Sequence, residues 1–169
     1  MLFARNYGLL VEPQKGLPYT MVQNALQGLD APYTKNLQEL KGQWLLLSAH
    51  SGECPSTCEK HLYLQRQLRE SMGREKDRID WVWIVDDAAP VRAPIQSAAS
   101  QGTVLRASGN VIAQWLRLDA PDAYREHLYI VDPMGNLMMR FPADPDPKQV
   151  RKDLDRLLRA SSSWDRAGR

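Results

Sequence analysis

The chain is short of cysteine, of net charge and of long apolar runs. Its 169 residues include two cysteines, and 22 Lys+Arg stand against 20 Asp+Glu for a formal net charge of +2. A balance so close to neutral leaves no basic excess to neutralise a run of phosphates. The cations near the C-terminus (Lys148, Arg151, Lys152, Arg156 and Arg159) are interleaved with Asp146, Asp153 and Asp155. Nucleic acid is therefore excluded as a partner. No stretch approaches the roughly 20 apolar residues of a membrane span. The longest runs, Trp44 to Leu47 and Leu128 to Val131, have the length of core strands. No signal peptide is read at the N-terminus, where Arg5, Asn6 and Glu12 follow Met1 closely. The chain as given reads as soluble. Glycine-rich nucleotide loops, GxSxG, HExxH and a second cysteine pair are all missing, so nucleotide, hydrolase and zinc-finger chemistry have no support. Internal repeats and low-complexity blocks are missing too.

What is present suits one globular domain: 43% hydrophobic and 25% charged residues, at a length that buries a core without staples. Residues 1–35 are cut by Pro13, Gly16, Pro18, Gly28 and Pro32 into pieces of strand length at most. They read as an irregular arm with a short hairpin near Gln14 to Gly16. Regular elements fill residues 36–160, and residues 161–169 read as a frayed tail.

Trp44 to Ala49 is a continuous apolar run, as in a strand covered on both faces. Pro55 to Met72 repeats apolar residues at intervals of four and stops at Gly73, which predicts a helix. Asp80 to Val85, Thr103 to Ala107, His127 to Asp132 and Leu137 to Phe141 read as further strands, the last two joined by the turn Pro133 to Asn136. Ile95 to Ser100 reads as a short helix, and Asn110 as the N-cap of another. Asp146 caps a final helix with Pro147 at its first position and an apolar stripe of Val150, Leu154, Leu157 and Leu158. This order predicts an α/β, thioredoxin-like fold: a central mixed sheet of about four to five strands flanked by helices.

The cysteines, Cys54 and Cys58, stand four apart where the first core strand hands over to its helix. Spacing of four puts two side chains on one helical face, a turn apart; with Cys54 in the loop and Cys58 in the first turn, the sulfurs could meet as a disulfide or grip one metal ion. A helix N-terminus favours the thiolate, the form needed for disulfide exchange and for soft metals such as Cu(I). A copper site would need a third ligand. His127, at the start of a strand expected beside the first, is the leading candidate. His50, in the cysteine loop, is the alternative, and His61 is read as solvent-facing. Met134, Met138 and Met139 are soft donors too, but they read as core filling, with Met138 and Met139 on opposite strand faces. Asp86 and Asp87 end the second core strand, where capping and catalysis are both open readings.

Leu40 to Leu47, followed by Cys54-Pro-Ser-Thr-Cys58 opening a helix, resembles the Sco/SenC family of thioredoxin-like proteins. The run Glu126-His-Leu-Tyr-Ile-Val-Asp-Pro-Met-Gly-Asn-Leu-Met-Met-Arg-Phe-Pro142, ahead of Asp146-Pro147, is similar to Sco-like membrane-anchored proteins that accompany bacterial cytochrome oxidase assembly genes. The resemblance implies that Cys54 and Cys58 are sulfur ligands and a redox pair, that His127 is the histidine ligand, and that Asp86 matches an aspartate after the second core strand. Glu59 departs from the pattern, replacing the proline that usually follows the second cysteine.

It further implies an assembly factor that binds copper, as Cu(I) or Cu(II), and passes it to a cytochrome c oxidase subunit or another assembly factor. The alternatives are a thiol-disulfide oxidoreductase acting on the oxidase's copper-site cysteines, with Cys54 attacking first, and a non-catalytic scaffold. The family's setting implies the periplasmic face of the bacterial inner membrane, reached through an N-terminal anchor that this sequence does not show. Oligomeric state is not legible.

Overall fold

The computed structural model describes residues 9–15, 40, 42–99, 101–116 and 123–161. Six strands form one mixed sheet: β1 (Leu9–Lys15), β2 (Trp44–His50), β3 (Ile79–Val85), β4 (Thr103–Arg106), β5 (Leu128–Val131) and β6 (Asn136–Phe141), in the order β1-β6-β5-β2-β3-β4. Strands β2, β3 and β4 are parallel, while β5 runs antiparallel to β2, β6 to β5 and β1 to β6. The helices are α1 (Ser56–Ser71), α2 (Ala93–Ala99), α3 (Gly109–Leu116) and α4 (Pro147–Ala160). This is the thioredoxin-like fold that the order of elements predicted.

The sheet divides the core into two layers. Trp44 and Leu46 of β2 pack with Cys58, Leu62 and Leu68 of α1 and with Val150, Leu154 and Leu157 of α4. Leu45, Leu47 and Ala49 pack on the other side with Ile112 of α3 and Tyr124. Strand β2 therefore has both faces covered, and all seven of its residues are buried, the polar Ser48 and His50 included; His50 ends the strand rather than lying in the cysteine loop as the sequence suggested.

Three elements differ from the sequence reading. Strand β1 lies within the stretch read as an irregular arm and brings the sheet to six strands. Its register on β6 shifts between Leu10 and Gln14. Pro13 falls in that shift, on an edge strand, where a missing N–H costs no ladder bond. A second irregularity in the β5–β6 pairing, between Ile130 and Val131, inserts a residue in β6. Met138 and Met139 consequently both join the α1–α4 layer rather than opposite faces. Helix α3 begins at Gly109, so Asn110 lies inside it, with Ile112 N–H donating to Ser108 O at 3.1 Å. The Asp146 cap is as expected: its carboxylate accepts from Lys148 N–H at 3.0 Å.

Candidate functional site at the head of helix α1

The loop Ser51–Pro55 leaves the C-terminal end of β2 and turns into α1. Cys54 N–H donates to Ser51 O at 3.1 Å, and Cys54 takes a positive φ of 50°. That left-handed conformation is uncommon for a residue with a Cβ. It brings Cys54 within 5.0 Å (Cα–Cα) of Cys58 in the first turn, and the two form a disulfide. Both cysteines are fully buried. Cys54, with Pro55, Ser56, Glu53, Glu59, Ala89, Pro90 and Arg92, lines an open cleft of about 690 Å³. Cys58 faces the core with Trp44 and Leu46.

Helix α1 is fixed to the sheet by two buried polar pairs. Ser48 Oγ donates to Gln65 Oε1 at 2.8 Å, and Gln65 Nε2 donates to Leu46 O at 2.8 Å and Val82 O at 3.0 Å. One turn nearer the cysteines, His50 Nε2 and His61 Nδ1 lie 2.9 Å apart, and His61 Nε2 is 3.1 Å from Ala143 O. A carbonyl only accepts, so His61 carries its proton on Nε2, and its Nδ1 accepts from His50 Nε2–H. Both rings are neutral in this chain of bonds. Burial, reinforced by repulsion from His61 and Arg125, pushes His50 down to about 3 from the usual 6.5. Burial also lowers His61, opposed by its bond to Ala143 and helped by His127.

His61 is thus buried at 2% exposure, not solvent-facing as the sequence suggested. Its charged neighbour Lys60 is exposed, and an offset of one residue, about 100° around the helix, decides which of the two meets the sheet.

His127 precedes β5, which pairs with β2 as expected. Its Nδ1–H donates to Phe141 O at 2.7 Å, leaving Nε2 as the nitrogen with a free lone pair. Its ring meets Tyr129 edge-on at 6.2 Å. Among the described residues no three His, Cys, Asp or Glu side chains converge as a metal-holding group. Cys54 and Cys58 are brought together; His127 is not brought onto them.

Asp86 is tied down on one oxygen. Its fully buried carboxylate accepts from Arg125 Nε at 2.6 Å and Tyr124 Oη at 2.8 Å, both on Oδ2. Oδ1 has no partner among the described residues. Burial and the bond to Asp86 push the Tyr124 hydroxyl above its ordinary range. Asp87 serves the loops: its Oδ1 accepts from Gly52 N–H at 2.9 Å and Ala89 N–H at 3.2 Å. Met134 is exposed on the β5–β6 turn, while Met138 and Met139 fill core.

Sequence reasoning missed Arg92. Its Nε donates to Glu53 O at 2.7 Å, and one terminal nitrogen donates to Cys54 O at 2.9 Å and Glu59 Oε1 at 2.6 Å. The one available signal was Glu59 in place of the family's proline.

A thioredoxin-type α/β domain with a disulfide closing the head of its first helix defines the class. More narrowly, the chain belongs to the transmembrane-like, thioredoxin-like C-terminal domain family, whose model matches residues 44–161. Curated proteins provide no match in sequence. Among solved structures, apo Sco1 of Thermus thermophilus is similar, at 19% identity and a TM-score of 0.62, over 90% of this chain and 96% of that one. Copper-bound yeast Sco1 matches at 16% identity and a TM-score of 0.52, over 72% of this chain and 82% of that one. The thioredoxin domain of a thiol-disulfide oxidoreductase from Bacteroides vulgatus matches at 14% identity and a TM-score of 0.52, over 92% and 99%. SCO1/SenC proteins and thiol-disulfide enzymes are thus its structural neighbours. No helix among the described residues is long and apolar enough to cross a membrane.

Proposed function

We propose that the protein assists assembly of the copper site of cytochrome c oxidase, and that its working element is the Cys54–Cys58 dithiol/disulfide couple. The observation that carries this reading is the disulfide itself, formed between a helix head and a loop that borders an open cleft. The Sco-type motif around Cys54 and Cys58 and the Sco1-like fold support the oxidase setting.

Thiol-disulfide exchange is the chemistry the site favours, because the two cysteines are already joined as a disulfide at a helix head beside a cleft. In the reduced protein the Cys54 thiolate attacks one sulfur of a target disulfide, and the target's other sulfur leaves as a thiolate. Cys58 then attacks Cys54 Sγ, which releases the second target thiolate and restores the Cys54–Cys58 disulfide. Two electrons pass to the target, and a dithiol reductant of the same compartment restores the couple. Cys54 is the attacker because it belongs to the loop that borders the cleft, whereas Cys58 is held in the helix. An extracytoplasmic setting, on the periplasmic face of the inner membrane, fits a pair that rests as a disulfide.

The second reading is copper carriage, favoured by the free Nε2 of His127 at the same edge of the sheet. Here copper is cargo, held by the Cys54 and Cys58 thiolates and His127 once the disulfide is reduced. An oxidised pair offers no thiolate, so reduction must come first.

The test combines a copper titration of the reduced protein with its reduction of a disulfide peptide bearing the cysteine pair of the oxidase copper site. Exchange that persists in His127→Ala and is lost in Cys54→Ser supports the first reading. One tight copper equivalent lost in His127→Ala supports the second. Neither activity in the wild type overturns both and leaves the scaffold role.

A further inference from the structure

We propose that Arg92 is a positioning residue that controls access to the Cys54–Cys58 couple, acting as a non-covalent bridge parallel to the disulfide. This deepens the reading above and rests on it for its biological meaning. The chemistry of the bridge can be measured without it.

Both cysteines are fully buried although Cys54 belongs to a loop, so something holds that loop down. The segment between β3 and α2 does so at successive points. Asp87 Oδ1 accepts from Gly52 N–H at 2.9 Å. Ala89 O occupies the space that a Cβ on residue 52 would need, so the two backbones meet only because that residue is glycine. Arg106 Nη1 fixes the segment from below by donating to Asp87 O and Ala89 O, each at 2.9 Å.

Arg92 closes the clasp. It binds the carbonyls of Glu53 and Cys54 on the loop side and the carboxylate of Glu59 on the helix side. Glu59 directly follows Cys58. The guanidinium therefore spans the same two pieces of chain that the S–S bond joins.

The bridge acts in both redox states. In the oxidised protein it keeps the loop closed, so an external nucleophile reaches sulfur only after these hydrogen bonds open. In the reduced protein it keeps loop and helix together, so the two thiols stay close and the disulfide re-forms readily. Glu59 balances the charge of Arg92 at a site where a bare cation would stabilise a thiolate.

The test uses the oxidised full chain and an uncharged trialkylphosphine, which with one water reduces a disulfide to two thiols and leaves as phosphine oxide. The release of thiols is followed in wild type, Arg92→Ala, Arg92→Lys and Glu59→Ala, with the exposed Arg66→Ala on α1 as control. The expected gain for Arg92→Ala is about tenfold, the scale of losing a few charge-assisted hydrogen bonds at a half-exposed site. Arg92→Lys, which keeps the charge but not the fork, falls between Arg92→Ala and wild type, and Arg66→Ala matches wild type. Should Arg92→Ala fail to fold by circular dichroism, Arg92→Lys and Glu59→Ala carry the test. Wild-type reduction rates in every folded Arg92 and Glu59 variant overturn the proposal. A rate gain in a protein that neither reduces the oxidase peptide nor binds copper leaves the bridge standing and removes the function proposed for it.

Discussion

Two polar pairs join helix α1 to strand β2, and they differ in depth and in whether they titrate. Ser48–Gln65 and His50–His61 are two residues apart on the strand and four apart on the helix, and all four side chains are buried. The first pair sits deep in the layer, carries no titratable group, and ends on two strand carbonyls. The second sits at the edge that bears the disulfide, and both of its members titrate. The same scaffold position thus supplies a pH-independent bolt below the site and a proton-sensitive one beside it. A protein that needs only to hold its helix would gain by repeating the first pair, because a buried neutral histidine loses stability in acid while Ser–Gln is indifferent to it.

Replacing Gln65 should break this comparison most severely. Gln65→Ala removes three buried hydrogen bonds, taking away the partner of the buried Ser48 hydroxyl and one donor each from Leu46 O and Val82 O. The expected cost is about 3–4 kcal/mol. Denaturant unfolding should show the same loss at pH 5 and at pH 8. A loss that varies with pH would deny that this pair is the neutral bolt.

Reducing the disulfide comes next. A loop this short gives about 2 kcal/mol from the entropy of the unfolded chain. Thermal unfolding with and without reductant measures it. Hydrogen exchange should show the loosening at the first turn of α1, with protection around Gln65 unchanged.

The acid dependence of the wild type has two parts of opposite sign. The folded values of His50 and His61 lie below 6.5, so the unfolded state takes up those protons first. Their contribution is fully present above pH 6.5 and falls as the pH drops toward about 3, where His50 titrates in the folded protein. Asp153, raised by burial to about 6, takes up its proton first in the folded state and partly offsets that loss below pH 6. Each such group contributes a slope of up to about 1.4 kcal/mol per pH unit. His61→Gln keeps a donor for Ala143 O and an acceptor for His50 but does not titrate. It should flatten the slope while costing less than about 1 kcal/mol at pH 8. An unchanged slope would locate the acid sensitivity elsewhere.

The smallest effect belongs to His127. Its charge lowers His61 through space. His127→Ala should therefore move the His61 titration slightly upward, as read by NMR of the ring protons, with little change in stability at pH 8.

Much of the site was legible because its signals are local. The cysteine pair shows as a short-range motif at a strand-to-helix junction, although it is the left-handed turn at Cys54 and not helical spacing that closes it onto Cys58, and Asp146-Pro147 starts α4 through its own hydrogen bond. His61 was misread because helical periodicity gives an angle but not the width of the buried face. A polar residue at the margin joins the core when a partner such as His50 satisfies it. Met138 and Met139 were misassigned because strand alternation assumes an unbroken ladder, and the irregularity in the β5–β6 pairing depends on both strands at once. The acids of the last helix were counted as equals, yet Asp153 is turned into the core while Asp155 pairs with Arg159 outside.

By itself the sequence determined the order of strands and helices from β2 to α4, the cysteine couple and its position at a helix head. These follow from periodicity, caps and short-range geometry, which a chain expresses within a few residues of itself. Tertiary structure alone decided that Arg92 spans the couple from 38 residues past Cys54, that His61 faces His50, and that the His127 ring meets Tyr129. Such contacts arise when separate segments bury apolar surface together and their remaining polar groups must find partners in whatever the packing brings near.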